Sequence, residues 1–190
     1  MPPLDTEIAR TRLLDAAEEL FYARGIQSVG MDEIRTAAAL PLKRVYALYP
    51  AKEQLVEAYL QRRDVRWRGR LAAAVEEVAD PRDRILAVFD WLGSWFREPG
   101  FRGCAWINGF GELGAVSDVM ARQARAHKQA FADYVAALVA AAGLPAALGP
   151  QLVLLAEGAM VTAGILGTDT PAAQARSAAE ALLDRRTSVL

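Results

Sequence analysis

The chain has 190 residues, 53% of them hydrophobic and 24% charged, with a formal charge of −1 at pH 7. That balance excludes a protein that coats nucleic acid through bulk positive charge, so any nucleic-acid contact must come from a local patch. One Cys and one His provide neither a disulfide framework nor a His/Cys metal site, and no cofactor or metal is expected.

Ala, Leu and Arg are the commonest residues, and the pattern is helical almost throughout, which predicts an all-α chain of about nine helices. The N-terminal "MPPLDTEIARTRLL" places charges where a signal peptide needs an apolar run, so a cytoplasmic protein is expected. The first helix is predicted from about Asp5 to Arg24, with Leu13, Ala17, Leu20 and Phe21 at helical spacing and Gly25 closing it. A short helix carrying "MDEIRTAAA" starts near Gly30. Next comes "LPLKRVYALYP", whose Val and Tyr read as strand by residue preference alone. From Ala51 a long helix is expected to about Ala79, and Asp80-Pro81 then supplies an N-cap and a first-turn proline for a fifth helix ending near Pro99-Gly100. Further helices are predicted over about Arg102 to Leu113, Ser117 to Ala142, Pro150 to Leu166 and Pro171 to Arg186. "LVLLAEGAMVTAGILG", Leu152 to Gly167, is the most membrane-like segment; it contains Glu157 and falls short of the roughly 18 to 20 apolar residues a span needs, so it is read as a buried helix.

Met31 to Tyr49 forms one unit: a short helix, a tight connection at Ala39 to Pro41, and a second short helix that Pro41 starts. Two helices joined this closely make a helix-turn-helix, whose second helix enters the DNA major groove. Lys43 and Arg44 then fall in a first helical turn, where the helix dipole disfavours cations and an external anion suits them better. Arg pairs bidentately with guanine or phosphate, Lys acts as a point charge, and the Tyr46 hydroxyl can reach a phosphate. Val45 and Tyr49 face inward, so the strand-like residues serve as the helix's anchor.

These residues carry a resemblance. "LLDAAEELFYARGIQSVGMDEIRTAAALPLKRVYALYPAKEQLVEAYL", Leu13 to Leu60, is similar to the N-terminal DNA-binding domain of the TetR family of transcriptional repressors. The resemblance implies a helix-turn-helix domain over residues 1–50 and a larger helical ligand-binding and dimerisation domain over 51–190. It implies DNA contacts from Gly30, Leu42, Lys43, Arg44, Tyr46, Ala47 and Lys52, the last matching the family's phosphate-contacting Lys at the start of the connecting helix, where the helix N-terminus adds its own preference for anions. This chain departs from the family in having Ala39 where Gly is usual, Pro41 where Ser is usual, and Gly30 where Ser or Thr is usual. Ala39 makes a left-handed turn costly, so a locally different connection is expected. Leu42, Lys43, Arg44, Ala47 and Leu48 also differ from the usual residues, and the operator sequence does not carry over.

Beyond the motif, "RRDVRWRGR" is the densest basic run. Arg62 stands about 15 Å along the helix from Lys52, and Arg62, Arg66 and Arg70 share a stripe expected to be a solvated face. The fifth helix carries Trp91 and Trp95 beside the apolar face of Ile85, Val88, Phe89, Leu92 and Phe96, so it must be covered on two sides or line a cavity. In the family the ligand pocket lies among the central helices, which implies Trp91, Trp95, Cys104, Trp106, Asn108, Phe110 and Glu112 as candidates for an apolar or aromatic effector. "FRGCAWINGFGELG" also resembles a "GC…N…E" segment of some family members that sense electrophiles or oxidants. Cys104 is expected in the first turn of its helix near Arg102, both of which favour a thiolate. His127 reads as structural.

Small residues permit close helix approach, and Gly158, Ala159, Thr162 and Ala163, with Leu155, form such a face on the eighth helix. The resemblance implies a homodimer through a four-helix bundle built from the last two helices, with Ala178 and Leu182 contributing, and hence a pseudo-palindromic double-stranded DNA operator. No phosphate loop, catalytic carboxylate pair or nucleophile elbow occurs, so no enzyme is expected. The reading is a DNA-binding regulator, a repressor released by a small-molecule ligand. Its rivals are a repressor that senses through the Cys104 thiol and a helical carrier or enzyme without DNA binding.

Overall fold

In the computed structural model, which describes residues 5–184, the described residues form nine helices: α1 (Thr6–Arg24), α2 (Met31–Ala37), α3 (Leu42–Leu48), α4 (Lys52–Glu76), α5 (Pro81–Phe96), α6 (Ala105–Leu113), α7 (Asp118–Ala141), α8 (Leu148–Leu166) and α9 (Thr170–Asp184). The expected end of the last helix at Arg186 lies outside the described residues.

Capping chemistry sets most boundaries. The Asp5 carboxylate accepts the Glu7 N–H at 3.1 Å, and Gly25, at φ +90°, closes α1 with its N–H on the Phe21 carbonyl. The Asp80 carboxylate accepts the Arg82 and Asp83 N–H groups at 2.8 and 3.1 Å, with Pro81 opening α5. α4 ends at Glu76 and α5 at Phe96, each about a turn before its expected end, and three helix starts also differ from expectation. Pro41 is the N-cap of α3, with ψ 144°, and the helix proper begins at Leu42. Gly103 at φ +83° blocks helix before Ala105, so α6 starts later than Arg102. α8 begins at Leu148, which places Pro150 inside the first turn, where its missing N–H has no intrahelical acceptor to lose.

Contacts divide the chain into two compact units. The first comprises the described part of Met1–Asp64 together with Ala105–Arg125; the second comprises Val65–Cys104 and the described part of Ala126–Leu190. α4 and α7 each supply residues to both.

In the first unit α1, α2 and α3 pack on one another around Leu13, Ala17, Phe21, Ile34 and Val45, with Leu55, Tyr59 and Leu60 of α4 also buried. The Phe21 and Tyr59 rings lie 5.7 Å apart. Arg62, expected on a solvated stripe, instead clasps α1 together with Arg63: Arg62 reaches Asp15 at 2.7 Å and Glu18 at 3.0 Å, while Arg63 reaches Glu18 at 2.8 Å and covers the Tyr22 ring at 3.9 Å. The acidic residues that recruit them sit 44 to 47 positions away, beyond any helical spacing rule.

The second unit is built on α5, α8 and α9. Residues Ile85, Val88, Phe89, Leu92 and Phe96 are buried, and so are Trp91 and Trp95, which confirms that α5 is covered on two sides. α8, at 19 residues, has the length and apolarity of a membrane span, contrary to the expectation that it falls short. It packs along α9 and against α5, and Glu157 within it pairs with Lys128 at 2.6 Å. The backbone of the α5–α6 connection passes so near α8 that a Cβ on Gly164 would stand 3.0 Å from the Gly103 Cα.

The connection between α2 and α3 resolves the question raised by Ala39. Its N–H donates to the Thr36 carbonyl at 3.1 Å and the Leu40 N–H donates to the Arg35 carbonyl at 3.2 Å. This is a Schellman closure with Ala39 in the left-handed position, at φ +53°. The expected deviation is therefore absent, and the chain accepts the strain because buried Leu40 fixes the exit. Ala39→Gly is expected to raise stability by about 0.5–1 kcal/mol by relieving that conformation; urea unfolding with an unchanged m-value is the check.

Candidate functional site

A seven-residue helix has too few internal hydrogen bonds to stand alone, so α3 depends on its buried side. Val45 is fully buried and Tyr49 nearly so, and the Tyr49 hydroxyl accepts from Arg10 at 3.4 Å. That anchoring turns Leu42, Lys43, Tyr46 and Ala47 outward, with Leu42 49% and Tyr46 45% exposed. Lys43 has no partner among the described residues. Arg44 is held instead: its Nη2 donates to the Thr6 hydroxyl at 2.9 Å, which ties the start of α3 to the start of α1. Gly30 is the exposed N-cap of α2, and with no side-chain cap it leaves the N–H groups of that helix end uncovered.

Lys52 opens α4 and is half-buried. Its Nζ donates to the Ile26 carbonyl at 2.6 Å and lies 5.8 Å from the centre of the Phe21 ring. Burial pushes the ammonium below its ordinary pKa, and the nearby Glu112 carboxylate partly restores it. Glu112 and Gln27 are joined twice: a Glu112 carboxylate oxygen accepts the Gln27 N–H at 2.9 Å, and the Gln27 amide donates to the Glu112 carbonyl at 2.6 Å. Ser117 donates to Glu53 at 2.9 Å and Gln123 to Glu57 at 3.1 Å. Sequence reasoning missed Thr6, Arg10, Gln27, Glu53 and Glu57, because each acts through a partner far away in the chain.

The effector candidates fall into two groups. Trp91 and Trp95 stack at 5.8 Å, and Trp67 meets them edge-on at 5.2 and 5.6 Å while also contacting His127 and Phe131 at 5.2 and 5.6 Å. Cys104, only 3% exposed, belongs to the same unit as this cluster. It immediately precedes α6 rather than lying in its first turn, and the cation at its sulfur is Lys128, whose Nζ is 3.3 Å away and also bonds Glu157. Trp106, Asn108, Phe110 and Glu112 stand on α6 in the first unit; Trp106 is buried, Asn108 and Phe110 are exposed, and Glu112 is committed to Gln27. A cavity of about 300 Å³ opens beside the Trp67 cluster, sharing Phe131 with it and lined also by Val65, Arg68, Gly69, Leu71 and Tyr134. Burial raises the Tyr134 phenol above its usual pKa, as does Glu76, with Arg84 opposing.

The dimer candidates also divide. Ala159 and Ala163 are buried within the chain, Leu155 and Leu182 are half-buried, and Gly158, Thr162 and Ala178 are exposed. Positions 158 and 159, about 100° apart around the helix axis, thus differ in exposure within the single chain. The outer side of α8 also exposes Leu154, Val161, Ile165 and Leu166.

Residues 13–59 match the sequence profile of bacterial regulatory proteins, tetR family. The whole chain is similar to a solved TetR-family transcriptional regulator from Streptomyces coelicolor, with 33% identity, a TM-score of 0.85, and 94% of this chain and 96% of that one covered. A TetR transcriptional regulator from Chloroflexus aurantiacus shares the fold at 23% identity and a TM-score of 0.80, over 92% of this chain and 93% of that one. An uncharacterized HTH-type transcriptional regulator of Mycobacterium tuberculosis is 37% identical over 81 residues, a match that spans 43% of this chain but only 40% of that curated relative.

The geometry separates groups that hold the fold from groups that do not. Lys43→Ala is expected to leave stability within about 0.5 kcal/mol, as for a surface position without partners. Arg62→Met removes charge-assisted bonds to two carboxylates and is expected to cost about 1–3 kcal/mol. Urea unfolding of the two variants tests the contrast.

Proposed function

This chain belongs to the TetR family of transcriptional regulators, a family of DNA-binding proteins rather than enzymes, and from that premise we propose a homodimeric, cytoplasmic repressor that a small apolar or aromatic effector releases from its operator. The observation that carries the DNA side is α3: anchored inward by Val45 and Tyr49, it offers Leu42, Lys43, Tyr46 and Ala47 to solvent on one side. Lys43 reads a base edge or phosphate, Leu42 and Ala47 make apolar contacts, and the Tyr46 hydroxyl meets a phosphate. Arg44 and Lys52 contribute charge at the rim, and Gly30 admits the backbone of a helix end to the phosphates.

In this proposal residues 1–50 read DNA, and residues 51–190 bind the effector and dimerise. The apolar outer side of α8, with Gly158 and Thr162 between Leu154, Val161 and Ile165, meets its counterpart together with Ala178 and Leu182 of α9. Two-fold symmetry then sets two half-sites about one helical turn apart. The aromatic cluster around Trp91 and Trp95 supplies an apolar environment for the effector, which shifts the population toward a state whose two recognition helices no longer fit adjacent grooves.

A second reading has one specific observation behind it. The Lys128 ammonium beside Cys104 favours the anionic form of sulfur that attacks electrophiles. Release of operator by an alkylating reagent, abolished in Cys104→Ser while response to non-covalent effectors persists, would establish it; an unchanged response in Cys104→Ser removes it.

Selection from randomised duplex DNA with the purified protein is expected to enrich a pseudo-palindrome, and failure to enrich one would overturn the repressor reading. On the enriched operator, log affinity should fall linearly with log salt, by about 0.9 per phosphate neutralised. Lys43→Ala should weaken binding by about 1–3 kcal/mol and relax preference at a single position in each half-site if Lys43 reads a base, as fluorescence anisotropy would report.

A further inference from the structure

The connection between α1 and α2, residues 25–30, carries no regular structure, yet each of its first three residues is held. Gly25 packs against the Glu112 carboxylate, the Ile26 carbonyl accepts from Lys52, and the Gln27 N–H donates to Glu112. Two glycines make this approach feasible. A Cβ on Gly25 would stand 2.9 Å from a Glu112 carboxylate oxygen, and a Cβ on Gly109, one turn before Glu112, would stand 3.1 Å from the Ile26 side chain and 2.8 Å from the Met120 sulfur. The closeness is thus matched from both sides, and the return bond from the Gln27 amide to the Glu112 carbonyl fixes its register.

We infer that Glu112 is a positioning residue for operator binding: through its carboxylate, the end of α6 holds the α1–α2 connection so that α2 and α3 present the base-reading face in the geometry the groove requires. The inference rests on the operator-binding reading above, and it concerns a residue that sequence reasoning had placed with the effector. Glu112 reaches no base-facing side chain; it acts on the backbone from which α2 departs at Gly30. Recognition tolerates errors of about half an ångström in such a constellation, so a support that fixes backbone matters as much as the contacts themselves. Lys52 adds a hold on the same connection by donating to the Ile26 carbonyl.

The test uses the full-length protein and the operator enriched by the wild type. Glu112→Met keeps the length of the side chain and removes both acceptors, whereas Glu112→Gln retains one oxygen for the Gln27 N–H. Glu112→Met is expected to lose about tenfold in operator affinity, and Glu112→Gln to stay within about threefold of wild type. Both should keep wild-type affinity for a duplex lacking the operator, because that binding is carried by phosphate contacts. A merely structural role would instead lower the unfolding midpoint and leave the ratio of operator to non-operator affinity of the folded protein unchanged, and that result overturns the inference. So does wild-type operator affinity in Glu112→Met. Should Glu112→Met fail to fold, Gln27→Ala, which removes only the return bond, is read in the same way: a loss of operator preference of about threefold is expected, and an unchanged preference refutes the inference. If the wild type enriches no DNA at all, it is the operator reading that fails, and the Glu112 variants are then judged by hydrogen exchange at the Gln27 amide, which should quicken in Glu112→Met but not in Glu112→Gln; equal exchange in both refutes the positioning role.

Discussion

Everything exposed on α3 is there because Val45 and Tyr49 are not. A helix of this length does not persist in water by its own hydrogen bonds, and the two buried side chains, one turn apart, fix both its existence and its rotation. Rotation is the quantity that matters for reading a groove. Turning α3 by one residue would exchange Val45 for Tyr46 and present a β-branched side chain to solvent. The Arg44–Thr6 bond and the Arg10–Tyr49 bond lock the same angle from the direction of α1. Residues that look like strand formers in isolation serve here as a short helix's buried purchase on its neighbours.

How far the chain could be read without coordinates depended on the range of the interaction. Asp5, Gly25 and Asp80-Pro81 act within four residues, and the helix ends they imply are where they should be. The inward placement of Val45 and Tyr49 followed from spacing alone. By contrast, Glu112 meets Gln27 across 85 positions and Arg62 meets Asp15 across 47, and no periodicity encodes such pairs. The start of α6 was misread because Gly103 adopts a left-handed conformation that residue identity permits but does not demand. Ala39 errs the other way: residue preference argued against the left-handed turn, and the two carbonyl contacts that close α2 outweighed it.

The second unit is organised differently, around one indole. Trp67 is met edge-on by Trp91, Trp95, His127 and Phe131, an arrangement in which positive ring edges face the negative face of a neighbour. Its Nε1 is buried with no hydrogen-bond partner among the described residues, a loss of about 1–3 kcal/mol that the surrounding apolar contacts must offset. A core that tolerates such a group has been shaped by geometry more than by polar satisfaction. The neighbouring Lys128 meets both Cys104 and Glu157.

The discontinuous makeup of the two units bears on how the chain can be divided. Residues 105–125 fold with the N-terminal segment, and the stretch between them belongs elsewhere. No single cut separates one unit from the other, and a fusion that swapped only the first 64 residues would arrive without the α6 segment that its α1–α2 connection expects. The chain passes between the two units more than once, so neither of them is a single continuous stretch of sequence.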